Sequence, residues 1–190
     1  EDNVQLYVTQ HTDSIVSVIK VFIETFNTVL TRIDDQSKYN QEAKTRGPLL
    51  GDQTSQSLRQ SLITAIQGKA IGASGTYDDL ADLGVRVGSG GRLELDESRL
   101  RNALATDPAS VEQVIAGYVQ GDAEQYEDLG NGIKVKIENP EGEFTVLGLA
   151  GQIERLANNY IDSVSGILTG RKKSIDTQIE FQNKRIAEID

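Results

Sequence analysis

The chain has 190 residues, of which 37% are apolar and only 5% aromatic, and its net charge is −10. This acidic balance, without a run of Lys or Arg, argues against nucleic acid and anionic membrane as partners. Because cysteine is absent, a disulfide framework and a cysteine-based metal site are excluded. A chain with so few aromatic residues favours elongated helical packing, which buries a stripe of each helix, over a thick globular core.

The sequence begins with a predicted strand and ends with a predicted helix, and both patterns are incomplete. Val4, Leu6 and Val8 alternate with polar residues, which predicts a strand without a partner beside it. At the other end, Asp190 follows an apolar repeat that has no glycine cap. Methionine is absent, even at position 1, so we expect flanking sequence to be missing on both sides.

A long helix is predicted over residues 12–36, where Thr12 or Asp13 can act as the N-cap. Its apolar residues form two columns with a spacing of seven, which is typical of a coiled-coil seam. The columns contain Ile15, Phe22 and Val29, and Ile19, Phe26 and Ile33.

The middle of the chain predicts short elements separated by polar or glycine-rich turns. Residues 34–46 lose the apolar period and predict a loop or a frayed helix end. Helix N-cap signals occur at three places: at Asp52 or Thr54, at Asp96, and at Asp107 before Pro108. The elements expected here are helix 54–67, hairpin 84–95, helices 96–105 and 107–116, and hairpin 132–146.

The last quarter of the chain predicts one terminal helix over residues 148–190. Leu168, Ile175 and Ile189 form one apolar column together with Gln182, and Ile179 and Ile186 form a second with Lys172. A helix of this length reaches about 60 Å and needs a partner, which the first helix offers. Two readings stay open: both helices belong to one bundle core, or the seam also recruits other subunits. The candidate helix-packing or interface residues are Ile15, Ile19, Phe22, Phe26, Leu168, Ile175, Ile179 and Ile186.

The sequence carries almost no pattern of catalytic or metal-binding chemistry. His11 is the single histidine, and no nucleophile elbow, P-loop or dinucleotide fingerprint is present. Asp78 and Asp79 are adjacent and are expected to point apart, and the acidic stretch 117–131 lacks the ligand order of a calcium loop. We therefore expect no catalytic residue, no metal and no cofactor, with a hydrolase of unrecognised site as the enzymatic alternative.

Several stretches of the sequence together carry a family resemblance. Three of them are Tyr77-Asp78-Asp79-Leu80-Ala81-Asp82-Leu83-Gly84-Val85, Gly91-Arg92-Leu93-Glu94-Leu95-Asp96-Glu97-Ser98-Arg99-Leu100 and Ala103-Leu104-Ala105-Thr106-Asp107-Pro108. Two more are the Gly47-Pro48-Leu49-Leu50-Gly51-Asp52 run and the helical stretch Phe22–Asn27. Together they resemble the flagellar filament cap protein family, the hook-associated protein 2 family, whose helix motif usually has tyrosine where Phe26 stands here.

The resemblance implies a non-enzymatic protein, exported through the flagellar channel, that sits as a ring at the extracellular tip of the filament. There it retains flagellin and promotes its insertion. Its implied partners are flagellin and other copies of itself, with hook–filament junction proteins and an export chaperone as further candidates. Residues 1–10 would end a β-rich head domain, and residues 11–190 would form a helical leg domain.

The fold class expected from these observations is mainly α, of the α+β kind: an elongated helical bundle or coiled coil with two small β-hairpins. A second class of function stays open, because the same helices could serve a secreted adhesin that binds a host or cell surface. Whether binding needs the head domains would discriminate between the two.

Overall fold

The computed structural model describes residues 12–41, 44–120, 126–128, 134–136 and 144–188. These residues form six α-helices and four two-stranded antiparallel sheets, which confirms the mainly α fold class. The helices are α1 (Thr12–Ser37), α2 (Gln53–Gln67), α3 (Glu97–Thr106), α4 (Pro108–Ala116), α5 (Leu149–Ile161) and α6 (Ile167–Ala187). The strands are β1 (Tyr39–Asn40), β2 (Thr45–Arg46), β3 (Val85–Val87), β4 (Leu93–Leu95), β5 (Tyr118–Gln120), β6 (Tyr126–Asp128), β7 (Lys134–Lys136) and β8 (Phe144–Leu147).

The core is built along one face of α1. Steps of three and four residues place five apolar side chains of this helix on a single buried stripe. The stripe packs against α2, α3 and β4, and its last residue, Leu30, is fully buried. Burial of each such side chain contributes about 1.5–3 kcal/mol. Its members are Val16, Ile19, Ile23, Phe26 and Leu30.

The predicted N-caps of α2, α3 and α4 are confirmed. In each case an Asp carboxylate accepts a hydrogen bond from the backbone N–H three residues later. Asp52 accepts from Ser55 (2.8 Å), Asp96 from Arg99 (3.0 Å) and Asp107 from Ser110 (3.1 Å). Each bond satisfies one of the N–H groups that a helix leaves free at its first turn. The boundaries of these helices lie within one residue of those predicted.

The hairpin predicted over residues 84–95 is also confirmed. β3 pairs with β4 in the register Val85–Leu95, and the connecting turn contains Gly90 and Gly91 at φ of 67° and 79°. Only glycine adopts such a backbone without strain. Leu93 and Val85 face the core, which fixes the register of the pair.

Two predictions about loops and strands are wrong. The stretch 34–46 contains the end of α1 and a short hairpin of β1 and β2. The hairpin predicted over residues 132–146 is not formed, because β7 pairs with β6 and β8 pairs with β5. β8 carries the buried Leu147, whose backbone also bonds to Ile71, so this strand is held beside the end of α4. The pairing of these strands is thus set by contacts between more distant segments of the chain.

The terminal helix predicted over residues 148–190 is divided into α5 and α6. At the break, the Asp162 carboxylate accepts hydrogen bonds from the N–H groups of Val164 (2.9 Å) and Ser165 (2.7 Å). Such local bonds compete with helix formation, and Gly166 then starts α6 at an extended φ and ψ. The predicted apolar columns, from Leu168 to Ile186, lie after this break and belong to α6 alone.

The expected pairing of the first and last helices is not made within the chain. α6 packs against α5, while α1 packs against α2, α3 and β4. α1 also has the length and composition of a membrane-spanning helix, a property that buried core helices share. Four features lie outside the described residues: the strand predicted near Val4, the single histidine His11, Ile189, and much of the acidic stretch 117–131.

Candidate interaction surface

α6 is a helix without a buried face. None of its residues is buried in the chain, although four aliphatic residues recur along it at steps of seven, four and seven. At 100° per residue these side chains fall within about 40° of the helix circumference. They are the four residues predicted on the terminal helix, and they are between 41% and 59% exposed: Leu168, Ile175, Ile179 and Ile186. We call this set the α6 stripe.

α6 is attached to the core through α5 and one ion pair. α5 is anchored by Leu149 and Tyr160, both buried, and contacts α2 and α4. At the start of α6, the Arg171 guanidinium lies 3.4 Å from the carboxylate of Asp52, which also caps α2. Beyond Arg171, every described residue of α6 is exposed. The stripe is therefore presented to solvent along most of its length.

The charge of α6 differs from that of the rest of the chain. Five basic and two acidic residues give this helix a net charge of +3, which leaves −13 for the remainder of the chain, whose total is −10. Lys172 and Arg171 flank the α6 stripe directly. On another face, the guanidinium of Arg185 lies 5.9 Å from the ring centre of Phe181. A partner for this helix should therefore combine apolar and acidic surface.

The two apolar columns predicted on α1 have different environments. Ile19 and Phe26 are buried in the core, so they pack within the chain. Ile15 and Val29 are 38% and 39% exposed, and Phe22 is half-buried beside Phe26, with the two ring centres 6.2 Å apart. Val18 and Val21 extend this outer column and are 67% and 61% exposed. We call Ile15, Val18, Val21, Phe22 and Val29 the outer face of α1.

A half-buried Asn holds the β3–β4 hairpin against α1. The Asn27 side chain donates from Nδ2 to the carbonyl oxygen of Leu93 (3.0 Å) and accepts from the N–H of Leu93 (2.7 Å). A side-chain amide offers both a donor and an acceptor, so one residue satisfies both backbone groups. The role of Asn27 was missed by the analysis of periodicity, although the residue belongs to the motif Phe22–Asn27.

A group of ion pairs fixes the same region. The Asp34 carboxylate lies 2.9 Å from Nε of Arg59 and 3.5 Å from a guanidinium nitrogen of Arg92. Arg59 also donates to the carbonyl oxygen of Gly90 (2.6 Å), and Arg92 donates to the Thr31 hydroxyl. α1, α2 and the hairpin are thereby joined. These ion pairs could not be predicted from the sequence, because their partners are far apart in the chain.

The carboxylates of Asp78 and Asp79 do not point apart as expected. With Asp82 they place oxygen atoms within 4.8 Å of one another, because this segment is a turn without regular alternation. Lys69 Nζ lies 2.5 Å from Asp78, and this contact raises the pKa of Lys69, while Asp79 accepts the N–H of Asp82 (2.8 Å). A guanidinium nitrogen of Arg99 lies 3.8 Å from the Asp82 carboxylate, so all three carboxylates are engaged in local contacts.

Within the described residues, a helical core that carries a cationic helix without a buried face defines the class: a mainly α protein of the α+β kind. The sequence profile of the family described as "Flagellar hook-associated protein 2 C-terminus" matches residues 1–190. The chain belongs to this family.

Individual relatives agree with the family assignment. The "Lateral flagellar hook-associated protein 2" of Vibrio parahaemolyticus is 27% identical over 96 residues, and its Campylobacter jejuni counterpart is 22% identical over 190 residues. These matches cover 50% and 86% of this chain but only 20% and 29% of the relatives. The chain therefore spans less than a third of the length of these curated relatives.

A solved structure agrees with the fold. The crystal structure of the D1-D2-D3 domains of the flagellar cap protein FliD from Escherichia coli superposes with a TM-score of 0.64 at 24% sequence identity. The match covers 87% of this chain and 37% of that chain.

Proposed function

We propose that this chain is the leg part of a structural cap at the distal end of the bacterial flagellar filament, outside the cell. There it retains exported flagellin and promotes its insertion into the growing filament. In this proposal residues 11–190 form the helical leg, and residues 1–10 end a β-rich head domain. The chain acts through contacts with flagellin and with other copies of itself, and performs no enzymatic chemistry.

The observation that carries this proposal is the uncovered α6 stripe in a chain of the hook-associated protein 2 family. Four aliphatic side chains in heptad-like order along a helix form the surface that a second helix packs against. Gln182 and Lys172 lie beside them, and polar residues in such a seam lower its stability. A surface of this kind supports contacts that can be broken and remade as each subunit is added.

The proposal is tested with the full-length protein in a flagellated cell that lacks its own copy. Replacing Ile175 and Ile179 with Asp puts two carboxylates on the α6 stripe. Because these residues are exposed, the fold should be kept, while packing of an apolar partner should be lost. We expect flagellin to accumulate in the medium and filaments to be short or absent.

The matched control places the same two carboxylates on another face of α6. Ser174 and Thr177 are exposed and lie more than 90° from the stripe around the helix. The double variant Ser174→Asp/Thr177→Asp should retain flagellin as the parent protein does. Normal filaments in the Ile175→Asp/Ile179→Asp cells, with the variant protein exported at the parent level, would refute the proposed role of the stripe.

A further inference from the structure

The junction between α5 and α6 keeps much of the hydrogen bonding of a continuous helix. The N–H of Asp162 donates to the carbonyl oxygen of Asn158 (2.9 Å), and the N–H of Gly166 donates to the carbonyl oxygen of Asp162 (3.0 Å). Both bonds span four residues, as in an α-helix. The backbone leaves the helical range at the two ends of the junction, where ψ is 132° at Asp162 and 145° at Gly166 instead of about −42°. Rotation about these two angles would join α5 to α6.

A single side chain holds the break open. The Asp162 carboxylate accepts hydrogen bonds from the N–H groups of Val164 (2.9 Å) and Ser165 (2.7 Å) and from the Ser165 hydroxyl (2.9 Å). In a continuous helix the same two N–H groups would donate to the carbonyl oxygens of Tyr160 and Ile161. Each N–H group therefore has one partner in either arrangement, so the two arrangements compete closely in hydrogen bonding.

The apolar period of α5 also continues across the junction. Leu156, Tyr160, Val164 and Ile167 follow steps of four, four and three residues. In one continuous helix they would lie within about 80° of the circumference. In the broken arrangement Tyr160 is 6% exposed, whereas Val164 is 79% exposed. The sequence of the junction thus fits a continuous helix, while the structure shows a break.

Gly166 is required by the break and not by a continuous helix. A Cβ at this buried position would lie 2.4 Å from the carbonyl oxygen of Asp162, 2.6 Å from its backbone nitrogen and 2.9 Å from the carbonyl oxygen of Tyr160. The φ of Gly166 is −63°, so the need is for space and not for a left-handed backbone. In a helix interior, alanine is favoured over glycine by about fivefold. The residue at position 166 therefore acts oppositely on the two arrangements.

We propose that residues 162–166 form a two-state junction, in which α5 and α6 are either broken at Asp162 or joined into one helix. This inference goes beyond the proposed function and does not depend on it, because it concerns how α6 is attached to the core. Hinges of this kind confine the backbone change to a few residues at the ends of elements. Joining the helices turns α6 relative to the core and separates Arg171 from Asp52, a surface ion pair of 3.4 Å that offers little resistance.

A distance measurement between α5 and α6 tests the junction. The chain has no native cysteine, so Glu154→Cys and Asn183→Cys, both at exposed positions, carry nitroxide labels for pulsed electron paramagnetic resonance. A continuous helix places these positions about 44 Å apart at 1.5 Å per residue. The separation in the broken arrangement is shorter, because α6 contacts α5, whereas a straight helix would hold even Ile161 and Ile167 about 9 Å apart.

In the parent chain the shorter distance should dominate. Gly166→Ala should raise the ratio of the 44 Å population to the shorter one by at least about fivefold, since alanine favours the helix and clashes in the break. Gly170→Ala is the matched control: its Cβ meets nothing within 4 Å and it lies within α6 in both arrangements, so the ratio should stay at the parent value. Asp162→Ala removes the acceptor of the break without adding atoms, and should also raise the 44 Å population.

Circular dichroism of each labelled variant verifies that the helices are kept, and Asp162→Ala decides the test if Gly166→Ala does not fold. Retention of the shorter distance in the folded variants would overturn the inference. A broad distribution of distances in them would overturn it as well, because it would show a flexible linker without a second defined state.

Discussion

Replacement of Asn27 with Ala should destabilise the fold more than its half-buried position suggests. The Asn27 amide satisfies both the N–H and the C=O of Leu93, a residue that is 3% exposed. Its removal takes away two hydrogen bonds and leaves two buried backbone groups without partners, at about 1–2 kcal/mol each. Alanine returns about 0.5 kcal/mol through its higher helix propensity. The net loss in free energy of unfolding is then about 1.5–3.5 kcal/mol.

Urea denaturation followed by circular dichroism at 222 nm measures this loss, since helices dominate the signal. Thr28→Ala is the matched control, because the Thr28 hydroxyl is exposed and donates only to the carbonyl oxygen of Glu24 in the same helix. The control should change stability by less than about 0.5 kcal/mol. If Asn27→Ala also stays below this value with an unchanged denaturant slope, the hairpin does not depend on Asn27 and the reasoning fails.

Two further predictions concern backbone and charge. Gly72→Ala should destabilise the chain far more than Gly90→Ala: both glycines have φ of 67°, but a Cβ at Gly72 would lie 1.8 Å from the carbonyl oxygen of Thr145, and one at Gly90 would meet nothing within 4 Å. Urea midpoints that are equal for the two variants would contradict this. Hydrogen bonds from Thr76 and Ser110 lower the pKa of the Asp107 carboxyl in the folded chain. The ionised carboxylate therefore stabilises the fold fully above the ordinary carboxyl pKa of about 4, and this stabilisation is lost as the pH falls through the lowered pKa. The urea midpoint should therefore drop below pH 4, and Asp107→Asn should flatten that drop; an unchanged pH profile would refute the assignment.

The sequence predicted the elements whose signals are local. α1 was placed to within one residue because its apolar period is long, and α2, α3 and α4 were placed by the Asp residues that cap them. The β3–β4 hairpin followed from alternation around a glycine turn. In each case the residues that decide the structure are close together in the chain.

What could not be predicted depends on contacts between distant residues. The seven-residue period of α1 is the same for Phe26, which is buried, and Val29, which is exposed, because burial depends on where α2, α3 and β4 pack. β8 pairs with β5 across a long separation. The break at Asp162 depends on side-chain bonds to backbone that a pattern of apolar residues does not register.

The residues of the candidate surface follow from spacing, but their partner does not. Spacing alone singles out Leu168, Ile175, Ile179 and Ile186, with a partner helix expected either in the same chain or in another subunit. The structure separates the two helices and leaves both faces open. A seam that serves the chain's own core and one that serves another chain have the same spacing, so sequence periodicity does not distinguish them.

The most direct test of the account is the molar mass of the chain in solution, measured by light scattering over a concentration series beside that of Ile179→Asp. The account predicts that the parent rises from the 20.7 kDa of one chain toward a multiple of it. The variant should stay at the mass of one chain throughout. A parent that remains monomeric at every concentration, or a variant that associates as the parent does, would contradict the claim that the α6 stripe is a surface for assembly.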